Sequence, residues 1–497
     1  MRWLAWLLLA LLAAPAAAAN PGTDGGLAGG RAPDRVLTGQ ISRADYQTYK
    51  SVPFAFPKGA DRLLIAIDLD RQEERTVIDI GLEDPNGIRG ASGSNKRVIL
   101  VGETASTPSY LPGAMVPGAW KLLIAVPNIR DGVVATWTAR LWFLKPGEPD
   151  TPPPTAGRGP GWYRGDLHLH SGQSDGACAP QSGGAKVPCP LFLTLQTAAA
   201  HGLDFVSLTE HNSVAHHGPL REAQPYFDRM LLIPGREITT FFGHFNIHGV
   251  TRPIDFRIQP GGPVTFDMIA DTVHRLGGIV VVNHPRLPSD ERCMGCGWTM
   301  PAVDPAKVDA IETVNGASVG AVGGAVSGPV DGTPFWRNWV AANGATTALG
   351  ASDNHDGAAR TDTLGVVGRP VTVVFADDLT QPAVLGGIKR GRVFIDTENV
   401  PGRHLDFTLR IGGVRTHMGG VAMRGARPVV LDADVAAPAG TILRVIDGDT
   451  IVAEHRLSGV RQAIATPLKL AKGRHLLRLA VLRDGQAILM SNAIVVE

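Results

Sequence analysis

The stretch Asp166-Leu167-His168-Leu169-His170-Ser171 contains a polar/apolar alternation around which the rest of the chain is organised. In a β-strand, successive side chains point to opposite faces, so both imidazoles would lie on one face and both leucines on the other. Two neutral imidazoles side by side, with the carboxylate of Asp175 a few residues on, are typical ligands of a transition metal. An ordinary half-buried strand with its polar residues outward has the same alternation, so both interpretations are open at this point.

Downstream, helical segments end near glycine and lead into short apolar runs that end in polar residues. The helices are predicted at Leu191 to His201, Phe266 to Leu276 and Thr333 to Ala342, and the polar ends are Glu210-His211-Asn212, Asn283-His284-Pro285 and Asp353-Asn354-His355. This order indicates αβ units with parallel strands. In a parallel barrel the carboxyl ends of the strands collect at one face. We therefore predict an α/β barrel in which these polar residues line a single pocket.

The length of 497 residues and the shifts in composition predict further parts. Residues 1–19 are typical of a secretory signal peptide, with Arg2, an apolar run and an alanine-rich cleavage site; a membrane anchor is the alternative. Residues 20–145 and 401–497 contain short alternating strands between turn signals, which indicates an N-terminal and a C-terminal β-sandwich domain. The Pro/Gly-rich residues 146–160 are a predicted linker, and residues 161–400 form the barrel.

The charge balance limits the classes of partner. With 47 basic and 46 acidic side chains the net charge is +1. The protein therefore has no overall positive potential that would attract nucleic acid. After cleavage of the signal peptide, no stretch is long and apolar enough to cross a bilayer. We therefore expect a periplasmic or secreted protein with a small-molecule substrate, and the sequence favours no particular oligomeric state.

Four cysteines occur in two close pairs. Cys178 and Cys189 bracket a short Gly/Pro-rich loop, and Cys293 and Cys296 form a Cys-x-x-Cys turn. In an oxidising compartment two local disulfides are expected. A zinc site built from all four thiolates and a redox-active pair at the Cys-x-x-Cys turn are the alternatives.

Nine residues are candidate metal ligands, and all of them offer nitrogen or oxygen: His168, His170, Asp175, His211, Glu237, His244, His284, Asp353 and His355. Such a set suits zinc, manganese or iron, and it is larger than one ion requires, so we expect two or three divalent ions. Clustered ions can activate a bound hydroxide at neutral pH and hold both the attacking and the leaving oxygen, which favours hydrolysis of a phosphoester or related ester. His248 lies on the same predicted strand face as His244 and is an alternative ligand, and Asp175 before Gly176 is alternatively a turn residue.

Other polar residues are candidates for catalysis and substrate binding. The guanidinium of Arg286 can hold a phosphate or carboxylate in a bidentate way, although a surface ion pair would explain the residue equally well. We predict Asp353, His355 and Arg286 as catalytic residues and Arg286, Asn212 and Asn354 as substrate-binding residues. A covalent serine mechanism is not expected.

The motifs, taken in order, resemble those of the PHP (polymerase and histidinol phosphatase) superfamily over roughly residues 160 to 400. They are Asp-x-His-x-His-Ser, Ser-Asp-Gly, Thr-Glu-His-Asn, Gly-Arg-Glu-Ile, Gly-His-Phe-Asn, Asn-His-Pro and Ser-Asp-Asn-His. The resemblance implies a distorted (β/α)7 barrel with a trinuclear metal centre. The exported, multidomain layout is most similar to the CehA/McbA-type metallohydrolases, a branch that includes carbamate ester hydrolases.

The resemblance also implies how the ligands divide among the ions. The first ion would be bound by His168, His170, Glu237 and Asp353, the second by Glu237 as a bridge with His244 and His284, and the third by Asp175, His211 and His355. Glu210 stands where the superfamily usually has aspartate, while the neighbouring histidine is kept. The expected function is an exported metal-dependent phosphoesterase; a carbamate or carboxylic ester hydrolase with the same centre and a non-catalytic exported binding protein are the alternatives.

Overall fold

The computed structural model describes residues 25–291, 293–322, 324–424 and 427–497. The predicted signal peptide at residues 1–19 lies outside them. Over the described residues the fold is mixed α/β, mostly sheet with few helices. None of the helices in this part of the chain has the length and apolar character that a membrane crossing requires.

The N-terminal region consists of two four-stranded antiparallel sheets, in the orders β1-β8-β3-β6 and β2-β7-β4-β5. Alternate side chains of both sheets, among them Leu63, Trp120 and Trp137, are buried in one shared hydrophobic cluster, as a period of two along each strand requires. The strands are β1 (Arg35–Ser42), β2 (Tyr49–Phe56), β3 (Arg62–Leu69), β4 (Val77–Asp84), β5 (Gly87–Ser92), β6 (Val98–Gly102), β7 (Gly118–Asn128) and β8 (Val134–Leu144).

The central region alternates strands with helices. Helices are present at the three places where periodicity and glycine stops predict them, which confirms those predictions. The elements are β9 (Gly161–Asp166), β10 (Ala177–Cys178), β11 (Val187–Pro188), α1 (Leu191–Ala200), β12 (Phe205–Leu208), α2 (His217–Ala223), β13 (Leu231–Thr240), β14 (Gly243–His248), α3 (Phe266–Arg275), β15 (Ile279–Val282), β16 (Ala310–Asn315), α4 (Gly316–Ala321), α5 (Thr333–Asn343), β17 (Thr347–Ala351), β18 (Val371–Ala376), α6 (Gln381–Lys389) and β19 (Val393–Asp396).

Helix α3 illustrates how local sequence produces these elements. The Thr265 hydroxyl caps its first turn by accepting a hydrogen bond from the Met268 amide, at 3.3 Å. Phe266, Ile269 and Val273 recur at helical spacing and are buried against the sheet, while the opposite side of the helix is polar. The helix therefore covers one face of the central strands.

The central strands follow the order β17-β16-β15-β14-β13-β12-β9-β18-β19. The segment after β17 also bonds to the segment after β9: the Asp353 amide donates to the His168 carbonyl and the His170 amide to the Asn354 carbonyl, both at 2.9 Å. The two ends of the run from β9 to β17 therefore meet, and the polar residues that follow several of these strands collect at one end of it.

Strand β14 departs from the expectation of parallel strands, which is wrong at this point. It runs antiparallel to both β13 and β15. Only Phe241 and Phe242 separate β13 from β14, and so short a connection can join antiparallel but not parallel neighbours. As a result, His244 enters the site from the start of its strand rather than from the end.

The C-terminal region is joined to the central sheet, although the sequence predicts a separate domain from residue 401. Strands β21-β20-β23-β26 form a sheet of their own, but β28 pairs with β19 and extends the central sheet. This pairing covers the edge of β19, which would otherwise be exposed. The strands are β20 (His404–Ile411), β21 (Val414–His417), β22 (Val421–Ala422), β23 (Val429–Ala436), β24 (Ile442–Asp447), β25 (Thr450–Arg456), β26 (Gln462–Leu468), β27 (His475–Arg483), β28 (Gln486–Ser491) and β29 (Ile494–Val496).

The predicted linker, residues 146–160, is bonded to the parts of the chain on either side of it. The carboxylate of Asp150 lies 3.3 Å from Arg62 in the N-terminal region and 3.2 Å from Arg221 in the central region. The Thr155 hydroxyl donates to the Leu379 carbonyl at 2.8 Å. These contacts fix how the N-terminal sheets lie against the central strands.

Candidate metal centre

The nine candidate ligands converge at the end of the central strands where the run closes. His168 and His170 follow β9, His211 follows β12, and His284 follows β15. Asp353 and His355 follow β17, and Asp175 lies in the turn before β10. Glu237 and His244 lie on the hairpin of β13 and β14. Six separate segments thus bring their side chains to one place.

We define the first subsite by His168, His170, Glu237 and Asp353. The Nε2 atom of His168 lies 3.2 Å from Oε2 of Glu237 and 3.2 Å from Oδ1 of Asp353. The Nε2 atom of His170 lies 3.4 Å and 3.2 Å from the same two oxygens. Both histidines are fully buried. Four donor atoms therefore face one another in a space closed to water.

The second subsite shares Glu237 and adds His244 and His284. The other carboxylate oxygen of Glu237, Oε1, lies 3.3 Å from Nδ1 of His244 and 3.4 Å from Nε2 of His284. The alternative ligand His248 lies elsewhere: its Nδ1 is 2.8 Å from the Ser207 hydroxyl, and burial lowers its pKa to about 3. The structure therefore places His244, and not His248, beside Glu237.

The outer subsite consists of Asp175, His211 and His355, with His170 behind them. The carboxylate oxygens of Asp175 lie 3.5 Å from Nε2 of His211 and 3.5 Å from Nε2 of His355. The side chains of His211, His355 and Asp175 are 27%, 39% and 56% exposed. Because the first two subsites are buried, a substrate would reach the cluster from this side.

Three residues of the cluster adopt left-handed backbone conformations without being glycine. Their φ angles are 48° at Asn212, 23° at His284 and 54° at Asp353. Such a conformation costs of order 1–3 kcal/mol and persists where the surrounding structure enforces it, which is common at functional sites. The turns after β12, β15 and β17 thus hold their side chains inward at an energetic cost.

The donor atoms that face the inner subsites fit bound cations. The Nε2 atoms of His168 and His170 and Oε2 of Glu237 are buried and have no hydrogen-bond partner among the described residues. A buried polar atom left without a partner costs about 1–3 kcal/mol. A divalent ion at the first subsite would satisfy these atoms, and a set of nitrogen and oxygen donors suits zinc, manganese or iron.

Electrostatics in the cluster follow from burial and from the opposite charges that face each other. Burial alone would raise the pKa of Glu237 and Asp353, but the adjacent imidazoles hold both pKa values well below the usual range. Burial lowers the pKa of His170 to about 4. At the outer subsite the charges of Glu237 and Asp175 outweigh burial and raise the pKa of His211 to about 10.

Cation binding at the outer subsite is expected to strengthen as the pH rises from about 6 to about 8, because a cation requires neutral imidazole. The carboxylates of Asp175 and Asp353 raise the pKa of His355 to about 9 against the effect of burial, so without a cation His355, like His211, retains its proton at neutral pH. Each ion bound there should release about two protons. Calorimetric titration in buffers of different ionisation enthalpy would measure this release, and pH-independent binding would contradict it.

The predicted substrate-binding residues make other contacts in the structure. Arg286 is exposed, and its guanidinium donates to the Asp331 carbonyl at 3.0 Å. The side-chain amide of Asn212 donates to the Thr239 carbonyl at 3.0 Å and accepts from the Thr239 backbone N–H at 3.1 Å. The side-chain amide of Asn354 donates to the Gly365 carbonyl at 2.8 Å. Both asparagines therefore hold loops at the site, and the binding roles of all three residues stay predictions.

The cysteines form two disulfides, Cys178–Cys189 and Cys293–Cys296, and no cysteine in the described part of the chain is free. This pairing leaves no thiolate for the alternative zinc site. The first disulfide joins β10 to β11 next to the outer subsite. There the Ala177 amide donates to the His355 carbonyl at 2.7 Å, so the cross-linked hairpin is bonded to the loop that carries His355.

The sequence analysis missed residues that contact the candidate ligands from behind. Glu312 on β16 lies 2.7 Å from Nδ1 of His168, and the Thr239 hydroxyl lies 2.7 Å from Nδ1 of His211. A usable signal was present for Glu312, since a carboxylate inside the apolar run from Ala310 to Val314 needs a partner once buried. Thr239 gives no such signal, because threonine is common in strands.

No protein-family model and no curated protein matches the chain. One similar solved structure is a two-domain protein from Bacteroides vulgatus ATCC 8482 that contains a predicted PHP-like metal-dependent phosphoesterase. It is 17% identical, the match covers 68% of this chain and 96% of that one, and the TM-score is 0.38. Another, from Bifidobacterium adolescentis ATCC 15703 and described as a candidate metal-dependent phosphoesterase, is 15% identical, covers 41% and 91%, and has a TM-score of 0.27. Both TM-scores are low, so the function has to be inferred from the side chains themselves.

Proposed function

We propose that this protein is a metal-dependent phosphoesterase of the PHP superfamily that hydrolyses small phosphoesters at a centre of two or three divalent ions. One observation carries the proposal: imidazole nitrogens from β14 and from the segments after β9 and β15 surround Glu237, whose two carboxylate oxygens face different subsites. A carboxylate shared in this way is typical of adjacent ions, and paired ions suit in-line displacement at phosphorus.

The residues of the chain have separable tasks in this proposal. His168, His170, Glu237 and Asp353 would hold one ion, Glu237 with His244 and His284 a second, and Asp175, His211 and His355 a third. When bound, such ions polarise the phosphoester and lower the pKa of water. The partly exposed outer subsite would admit the substrate, while the burial of the inner subsites excludes bulk water from the other ligands.

A cationic side chain at the entrance supports an anionic substrate. Lys186 is 61% exposed, and its ammonium lies 2.9 Å from the Asp356 carboxylate, one residue beyond His355. A lysine beside the open subsite would attract a phosphate group and lead it towards the ligands.

We further propose the finer features that the sequence predicts. The run of strands from β9 to β17, whose ends meet, supports a distorted (β/α)7 barrel, and the paired N-terminal sheets support a β-sandwich flank. Zinc, manganese and iron are the candidate metals. The apolar residues that follow Arg2 support export to the periplasm or medium, and the layout supports the CehA/McbA branch.

A carbamate or carboxylic ester with an aromatic group is the second candidate substrate. Phe241 and Met294 are 78% and 77% exposed, on the loops beside His244 and His284. The two loops are in close contact at Gly295, which has no side chain. A Cβ atom at this position would lie only 2.2 Å from the Thr240 carbonyl oxygen. The exposed apolar surface formed by Phe241 and Met294 would hold an aryl group next to the second subsite.

The test is metal analysis of protein purified without chelator, combined with an ester panel. The panel is p-nitrophenyl phosphate, bis-p-nitrophenyl phosphate and naphthyl N-methylcarbamate, each with added manganese, zinc or iron. Turnover of the phosphoesters is the expected result, and a clear preference for the carbamate would replace it with the second candidate. Stoichiometric metal without turnover of any ester would instead indicate an exported binding protein, and protein that binds no metal would overturn the proposal.

A further inference from the structure

Glu312 is a buried carboxylate that is not one of the nine candidate metal ligands. It lies on β16, is 2% exposed, and faces the side of His168 that points away from the first subsite. Its Oε1 atom is 2.7 Å from Nδ1 of His168. Its Oε2 atom accepts hydrogen bonds from the His284 amide at 3.0 Å and from the Asn315 side chain at 3.1 Å.

These contacts reach residues of both inner subsites. Besides the bond to Glu312, the side-chain nitrogen of Asn315 lies 3.2 Å from Oδ2 of Asp353. Glu312 and Asn315 therefore touch His168 through its ring, His284 through its backbone and Asp353 through its carboxylate. Glu237 and Asp353, the other carboxylates beside His168, face its Nε2 atom instead.

The bond to His168 determines which ring nitrogen carries hydrogen. An ionised carboxylate can only accept, so Nδ1 must be the donor in this pair. In neutral imidazole the lone pair is then on Nε2, the atom that faces Glu237 and Asp353 and has no hydrogen-bond partner. A histidine held in this tautomer is ready to bind a cation through Nε2.

We propose that Glu312 is a positioning residue for the metal centre. It fixes the Nδ1–H tautomer and ring orientation of His168 and, together with Asn315, holds His284 and Asp353 in place. This inference rests on the proposed function only in taking the ligand to be a divalent ion. It predicts that metal affinity, and not only folding stability, depends on a side chain that never touches the metal.

The test uses the full chain with Glu312→Ala, Glu312→Gln and a matched control, Thr313→Val. Thr313 is the next residue of the same strand, is equally buried, and donates to the Leu349 carbonyl at 3.2 Å without contacting the centre. Affinity for manganese and zinc is measured by competition with a chromophoric chelator, and thermal unfolding is measured in parallel.

We expect Glu312→Ala to bind metal about 10–100-fold more weakly than the unsubstituted protein. Glu312→Gln should lie between the two, because its carbonyl can still accept from Nδ1 of His168 while its amide group opposes the donors of His284 and Asn315. Thr313→Val should unfold at a lower temperature with unchanged metal affinity. Histidine nitrogen NMR of the protein saturated with zinc should show His168 with its hydrogen on Nδ1 in the unsubstituted chain and a mixture of the two arrangements in Glu312→Ala.

Two results would overturn this inference alone: unchanged affinity in both Glu312 variants, or an equal loss of affinity in Thr313→Val. If Glu312→Ala does not fold, Glu312→Gln decides, and an affinity equal to that of the unsubstituted protein is the overturning result. Absence of metal binding by the unsubstituted protein would overturn the proposed function itself, so the two failures are distinguishable.

Discussion

Replacing Asp353 with alanine is expected to lower kcat/KM for the hydrolysed ester by at least about 100-fold. This loss is larger than that typical of a residue that only hydrogen-bonds to a metal ligand. The physical reason is its position: Oδ1 of Asp353 lies 3.2 Å from Nε2 of both His168 and His170. Without this carboxylate two buried imidazoles would face each other with less compensating negative charge. The measurement is steady-state hydrolysis together with the metal content of the purified variant.

The control for this substitution is Asp362→Ala. Asp362 follows Asp353 in the same connection to β18, is 90% exposed and pairs with Arg369 at 2.9 Å, away from the centre. This variant should retain activity, and both variants should keep the N-terminal sheets folded, which circular dichroism and thermal unfolding would show. Activity of Asp353→Ala within tenfold of the unsubstituted protein would contradict the site assignment.

Removing the metal is expected to abolish turnover and to lower the free energy of unfolding. A ligand present at about 1,000 times its dissociation constant stabilises the folded state by about 4 kcal/mol, and dialysis against a chelator would remove this contribution. The loss should be large here because the donors of the first subsite are buried and would be left without partners. Urea unfolding before and after chelation, followed by addition of zinc or manganese, provides the measurement.

The matched variant for the chelation experiment is Glu237→Gln, since Glu237 contributes one oxygen to each inner subsite. An amide removes the negative charge while keeping the shape, so the stabilisation by metal should shrink in this variant even before chelator is added. If chelation left both the unfolding midpoint and the activity of the unsubstituted protein unchanged, a metal centre would be excluded as the basis of function.

Local features of the chain were predictable because their causes are local. Glycine stops and helical periodicity located α1, α3 and α5, and alternation located β3, β4, β7 and β8 of the N-terminal sheets. The candidate ligands could be named for a related reason. His and Asp residues at the ends of apolar strands stand out from the sequence, whichever strands turn out to be neighbours.

The choice between His244 and His248 shows where sequence reasoning ends. Both lie on the same face of β14, so a period of two cannot separate them. Four residues of strand span roughly 13 Å, at about 3.3 Å per residue. The register of β13 with β14 places Thr239, next to the cluster, opposite His244 and Gly235 opposite His248. Only the hairpin decides which of the two imidazoles reaches Glu237.

The sequence alone therefore determined part of the strands, three of the helices and the kind of donor atoms at the candidate site, because periodicity, turn residues and donor atoms are properties of short segments. The tertiary structure alone decided which donors meet, that Glu312 lies behind His168, and that β28 continues the central sheet. These facts depend on strand register and on pairings between residues far apart in the chain, such as His168 and Glu312 at a separation of 144 positions, which no local pattern encodes.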